Sequence, residues 1–227
     1  MGAPSMIILA VTDVHGDFAA IPRIAADLEA ADVVILSGDL TNFGRRRDAE
    51  RVLQAITRYA RRVLAVPGNC DYPEVSAYLD ELGINLHGTN KVIKDIGLFG
   101  VGGSLPAPGS TPFEFSEDEL RNLLTTAAED LPKDTPTILV SHQPPFGTKN
   151  DEVFAGDHVG SKAVRSFIEA RQPILCLTGH IHEAAGIDSI DGTRIVNPGP
   201  FSRGGYTYAV VREGLEQLEI RDWKAQQ

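Results

Sequence analysis

The chain has 227 residues, 42% hydrophobic and 23% charged, the balance of one globular domain, and no run approaches the roughly 18 apolar residues of a membrane span. Its formal net charge of -10 excludes a protein that coats nucleic acid through a broad basic surface, and it stays acidic even with two divalent cations bound. Two cysteines, Cys70 and Cys176, make no disulfide framework and fit a reducing cytoplasm, so we expect a single cytoplasmic domain over residues 1–227 with a ragged leader at 1–5 and no membrane association.

In chain order, Met6 to Val11 reads as a buried strand, followed by a helix whose apolar face is Ile21, Ile24, Ala25 and Leu28. Val33 to Leu36 is the next strand, Ala49, Val52, Leu53 and Ile56 line a second helix, and Val63 to Val66 is a third strand. This β-α-β-α-β order predicts a parallel sheet with helical crossovers. Pro73 to Leu82 is a short helix, and Lys91–Ile96 and Leu98–Gly102 form a hairpin or bend about Gly97. Ser116 and Glu119 make a capping box for a helix reaching Ala128, and Thr135 to Val140 returns to strand. A helix over Ser161–Ala170 precedes a strand from Ile174 to Leu177. Short strands follow at Gly186–Ile190, Thr193–Val196, Tyr206–Val211 and Leu215–Ile220. The fold class is therefore α/β, with two mixed sheets flanked by helices and two irregular stretches, 104–115 and 143–159, long enough to be functional loops.

Five of the apolar runs stop at residues able to bind a divalent metal: Asp13, Asp39, Asn69, His142 and His180. Parallel strands end on one edge of a sheet, so these groups can converge in one crevice. His15 and His182 each follow a donor by two residues, and extended backbone would project each pair to one side. The set comprises four imidazoles, two carboxylates and one amide oxygen, more than one ion takes, whereas two ions sharing a carboxylate would use all seven. Imidazole with oxygen donors suits Mn, Fe, Co, Ni or Zn over Ca or Mg, with Mn favoured. Gly38, Gly68 and Gly179 permit the tight backbone such a cluster needs.

The segments Asp13-Val14-His15, Gly38-Asp39, Gly68-Asn69-Cys70-Asp71, Ser141-His142 and Gly179-His180-Ile181-His182 resemble, in identity and order, the motifs of the calcineurin-like metallophosphoesterases. That resemblance implies a four-layer α/β/β/α sandwich. It implies one metal held by Asp13, His15, Asp39 and His182, and another held by Asn69, His142, His180 and the same Asp39. It also implies hydrolysis of a small phosphate ester by metal-activated hydroxide, with Asn69, Cys70 and Asp71 as the catalytic segment. Pro144-Pro145-Phe146-Gly147 and His158-Val159-Gly160-Ser161 look like a branch of small, mainly prokaryotic phosphoesterases. The absence of Val-Asp-Arg-Gly after Asp39 argues against the Ser/Thr protein phosphatases.

Cys70 stands where many family members carry His. It is either a weak leaving-group acid or a small spacer, and both readings favour phosphodiesters over alkyl monoesters. His158 and Asn42 are candidate substrate contacts, with His158 a surface residue otherwise. Arg45-Arg46-Arg47 faces a choice between an anionic substrate and a solvated helix face. His87 reads as an ordinary loop residue, Trp223 as a dock for the tail, and Asn197-Pro198-Gly199-Pro200 as turn chemistry behind the site. A non-catalytic scaffold of this fold, as in the retromer subunit that resembles phosphoesterases, would tolerate broken ligands, and none is broken here. A nuclease would need a basic track that the sequence lacks beyond the Arg45 run.

Overall fold

The computed structural model describes residues 5–132 and 135–225. Of the expected leader only Ser5 is among them. The elements are β1 (Met6–Val11), α1 (Ala25–Ala30), β2 (Val33–Ser37), α2 (Arg46–Thr57), β3 (Val63–Val66), α3 (Pro73–Glu81), β4 (Asn90–Ile93) and β5 (Ile96–Val101). They continue with α4 (Glu117–Ala128), β6 (Thr137–Ser141), α5 (Lys162–Arg171), β7 (Leu175–Leu177), β8 (Gly186–Ile190), β9 (Thr193–Asn197), β10 (Gly205–Val211) and β11 (Leu215–Asp222). One sheet has the order β11-β10-β1-β2-β3, the other β4-β5-β6-β7-β9-β8. No helix among the described residues is long and apolar enough to cross a membrane.

Alternation along the strands creates the layers. Ile8 and Ala10 of β1, with Val33 and Ile35 of β2, face Leu98, Ile138, Val140 and Leu177 of the other sheet in a core between the sheets. Leu9 and Val11 point the other way, against Leu28, Val52, Leu53, Ile56, Val75 and Leu79 of α1, α2 and α3. On the far side Phe99, Leu139 and Cys176 meet Leu120, Leu124, Val164 and Ile168 of α4 and α5. The result is the expected α/β/β/α sandwich. Each fully buried Leu or Ile contributes roughly 1.5–3 kcal/mol relative to exposure.

The parallel pairs set the site. Val11 lies beside Leu36 and Ser37 beside Val66 in one sheet, while Val101 lies beside Ser141 and Val140 beside Leu177 in the other. The carboxyl ends of these six strands, β1, β2 and β3 in one sheet and β5, β6 and β7 in the other, therefore open at one edge of the sandwich.

Two local expectations differ from the structure. The β4–β5 hairpin turns at Lys94 and Asp95 (φ 48 and 62), both left-handed as a two-residue hairpin turn requires, and not at Gly97. Gly97 lies inside β5, where a Cβ would come within 2.9 Å of Leu131 Cδ2. The first helix begins as a 3-10 turn at Ile21–Ile24 containing Pro22, which has no N–H to give, and only Ala25–Ala30 is α-helical.

Candidate metal centre

The strand ends are forced into unusual backbone. Asp13, His15, Asp39 and His180 all have positive φ, at 51, 48, 49 and 70 degrees. Such angles are uncommon outside glycine and cost of order 1–3 kcal/mol each, so the surrounding structure must impose them. It does so by hydrogen bonding: Asp13 N to Gly38 O at 3.1 Å, His15 N to Asp39 O at 2.9 Å and Gly16 N to Leu40 O at 2.9 Å. The two donors of Asp13-Val14-His15 thus converge through left-handed turns and not through the extended backbone expected from their spacing.

The side chains converge on both sides of Asp39. Its Oδ1 accepts from Cys70 N at 2.8 Å. Its Oδ2 lies 3.7 Å from His15 Nε2 and 3.5 Å from His142 Nε2. On the first side, His182 Nε2 is 3.2 Å from His15 Nε2 and 3.3 Å from Asp13 Oδ1. On the second, His142 Nε2 is 3.0 Å from Asn69 Oδ1, and the His142 and His180 rings are 5.3 Å apart. The two imidazoles of His180-Ile181-His182 are thereby divided between the two groups.

These residues fit divalent cations. For bonds of about 2.0–2.2 Å the edges of a coordination polyhedron are about 3–3.5 Å, the range spanned by most of the donor separations. Asp13 and Asp39 are 1% and 2% exposed, with imidazoles as their only cationic neighbours within 4 Å among the described residues. Two buried carboxylates without a strong cation are costly, and metal ions supply that charge. His15 Nδ1 is buried without a partner.

Electrostatics follow from this crowding. Burial works to raise the pKa of Asp39, but the His142 imidazole beside it overrides burial and holds the carboxyl well below its usual range. Burial works to lower the pKa of His142, and the Asp39 carboxylate reverses this, raising it to about 9. His180 is pushed down to about 4 by burial and by His142. The Nδ1–H of His142 donates to Ser37 O at 2.8 Å, so Nε2 is the nitrogen that faces the cluster and would supply the lone pair to a bound ion in place of its proton.

The glycines act by absence. A Cβ at Gly38 would stand 2.2 Å from His142 Nδ1, at Gly68 2.0 Å from Asp39 Oδ1, and at Gly179 2.0 Å from Thr12 Oγ1 and 2.6 Å from Asp13 Oδ2.

Cys70 joins His15 and Asp39 in one cluster of candidate donor atoms. Burial and the Asp39 carboxylate push its thiol upward, so the sulfur stays protonated. Asp71 is a brace: its buried carboxylate accepts from Leu40 N, Thr41 N, Thr41 Oγ1 and Gly68 N, tying the loop after β2 to the loop after β3. Burial, then Asp39, raises its pKa to about 6. Asn42 is exposed, and His158 is not brought into the cluster. The Nδ1 of His158 sits 2.8 Å from the fully buried Asp151, which also receives Gly147 N, Thr148 N and Gly160 N and so organises the 143–159 loop.

Sequence reasoning missed several residues. Thr12 Oγ1 donates to Asp13 Oδ2 at 2.8 Å, and Asn197 Nδ2 donates to Ile181 O at 2.9 Å, fixing the His180–His182 turn. Gln143 accepts from Leu105 N and donates to Val159 O, pinning both long loops together. Asn197 is not missed outright: its Asn-Pro-Gly-Pro run reads as turn chemistry behind the site, and only its bond to Ile181 O is not foreseen. The others had no signal.

A four-layer sandwich whose strand ends gather aspartate, asparagine and histidine around space for divalent cations defines a metal-dependent phosphoesterase architecture. The family model described as calcineurin-like phosphoesterase matches residues 6–184, and the chain belongs to that family. Membership makes it a metal-dependent phosphoesterase. An uncharacterized protein of Methanocaldococcus jannaschii is 38% identical over 201 residues, covering 87% of this chain and 89% of that protein. Among solved structures, a protein of Thermus thermophilus superposes with a TM-score of 0.73 at 23% identity, covering 97% of this chain and 100% of its own. A dimetal phosphatase of Danio rerio superposes with a TM-score of 0.60 at 14% identity, covering 96% of each chain.

Proposed function

We propose that the protein is a dinuclear phosphodiesterase acting on small phosphate esters in the cytoplasm, with manganese as the favoured metal. The observation that carries this is Asp39 Oδ2, which stands within 3.7 Å of His15 Nε2 and 3.5 Å of His142 Nε2 and so suits a carboxylate shared between two ions. Asp13, His15, Asp39 and His182 would hold one ion, and Asp39, Asn69, His142 and His180 the other. Bound there, the ions would lower the pKa of a water from 15.7 toward ~7 and neutralise charge on the phosphoryl oxygens.

The chain's own residues orient and hold protons. Ser37 O fixes the His142 tautomer, and Cys70 N fixes the rotation of Asp39. The Cys70 thiol makes weaker hydrogen bonds than an imidazole, so a poor alkoxide leaving group would receive little help from it. Diesters with good leaving groups suffer least from this, which favours diesterase over alkyl monoesterase activity. The Danio rerio neighbour, a dimetal phosphatase by description, supports the two-ion reading.

The test is a metal-controlled screen of aryl and linear diesters, cyclic nucleotides, pyrophosphates and alkyl monoesters, with Asp39→Asn alongside. An aryl diester should be cleaved faster than any alkyl monoester, and Asp39→Asn should lower the rate by about 10³-fold or more. Faster cleavage of alkyl monoesters would remove the diester preference, and full activity in metal-loaded Asp39→Asn would remove the shared-carboxylate site.

A further inference from the structure

The 3-10 turn at Phe201–Arg203 is clamped against the metal centre from two directions. Phe201, fully buried, donates its N–H to Thr12 O at 3.2 Å, one residue before Asp13. From the other side Trp223 donates its Nε1–H to Phe201 O at 3.0 Å and its backbone N–H to Gly204 O at 3.1 Å. Gly204 (φ 116) leaves room for this tail, since a Cβ there would meet Asp222 Oδ1 at 2.1 Å.

This rigid turn carries Arg203. Its Nη1 donates to the main-chain carbonyl of His182 at 2.7 Å, which sets the exposed guanidinium beside the first group of donors. Other arginines near the loops are committed elsewhere. Arg45 stacks on Tyr72 and pairs with Glu74, Arg46 stacks on Tyr78 and pairs with Glu81, and Arg165 pairs with Glu169. Arg203 makes no ion pair among the described residues, although the protein carries a net charge of -10. One of its N–H groups holds the carbonyl. The rest form a planar fork suited to phosphoryl oxygens.

We propose that Arg203 is a substrate-binding residue whose guanidinium takes the non-bridging oxygens of the phosphoryl group beside His182. The proposal rests on the phosphoesterase reading of the site and deepens it by naming a protein cation that the metal ligands do not supply. A purely structural arginine, serving only the His182 carbonyl, would act through metal affinity instead.

Manganese-loaded wild type, Arg203→Met and Arg203→Lys are compared in three measurements: manganese affinity by electron paramagnetic resonance, inorganic phosphate affinity by calorimetry, and KM and kcat on bis(p-nitrophenyl) phosphate. Arg203→Met should weaken phosphate binding and raise KM about tenfold or more, with kcat within about threefold and manganese affinity within about twofold. Arg203→Lys should recover part of the loss, since it keeps the charge without the fork. Unchanged phosphate affinity in Arg203→Met would overturn the assignment. So would manganese affinity falling in step with it, or a manganese-loaded wild type that binds no phosphate. A wild type that binds phosphate through Arg203 yet cleaves no ester would retain this assignment and remove the phosphodiesterase reading.

Discussion

His87 shows how much one residue's neighbours decide. Its Nδ1 accepts the Gly102 N–H at 2.9 Å and its ring packs 5.2 Å from that of Phe113 and 5.3 Å from that of Phe115, anchoring the 104–115 loop that also reaches Asn69 O through Phe113 N. Burial pushes its pKa down from 6.5 to about 4, against a weaker pull from Asp80. Between those values the unfolded chain binds a proton that the folded chain refuses, so stability rises with pH across the window. The contribution is complete above pH 6.5 and lost toward pH 4, on the order of 3 kcal/mol in all. Urea denaturation at about pH 4.5 and pH 6.5 should therefore show a shallower pH dependence for His87→Gln, which keeps an acceptor for Gly102 without the titration. Equal slopes in the two proteins would contradict a neutral, half-buried His87. Nothing in the sequence distinguished this histidine, because Gly102, Phe113 and Phe115 lie too far along the chain for any local period to report. The seven donors were legible for the opposite reason: five follow an apolar run, where the end of a parallel strand is fixed by sequence, and His15 and His182 lie two residues beyond one of those five.

At the scale of elements, loops are where the legible and the hidden meet. The capping box at Ser116 and Glu119 opens α4 as expected, with Glu119 N to Ser116 Oγ at 3.3 Å and Ser116 N to Glu119 Oε2 at 2.8 Å. The arginine run at the start of α2 was ambiguous, and the structure turns Arg45 and Arg46 toward aromatic and acidic partners on and before α3. The glycines before the donors were read as backbone freedom, yet Gly68 and Gly179 have ordinary φ and are small because ligand groups occupy the space. Gly179→Ala should accordingly weaken metal binding about 10–100-fold, the usual effect of disturbing groups that orient ligands. Gly192→Ala, whose Cβ would meet nothing within 4 Å, is the control and should stay within about twofold. Titration of the apo proteins with manganese distinguishes the two; equal affinities would deny that Gly179 shapes the site.

For the whole molecule, the centre joins the two sheets. His142, after β6 in one sheet, donates to Ser37 at the end of β2 in the other, and Asp39 and Asn69 from the first sheet face it. Ions bound between the sheets add stability to the folded state alone, about 2.7 kcal/mol at one hundred times the Kd. For a chain of this size that raises Tm by roughly 5–10 °C. Thermal melts with manganese and with chelator should differ by that amount, and the difference should disappear in Asp39→Asn. Coincident melts in wild type would mean that the ions do not bind across the sheets.

The strand order holds a consequence for synthesis. β1 pairs with β2 on one side and with β10 on the other, and the second partner comes nearly at the end of the chain. While the protein emerges from the ribosome, every proposed metal ligand through His182 is made before the strand that covers the open edge of β1. A nascent chain halted short of Gly205 would own a complete set of ligands and still present an unpaired, apolar strand to its neighbours. The open edge of β1 is therefore closed only once the segment from Gly205 onward has been made, and a chain truncated before it should aggregate although it carries all seven ligands.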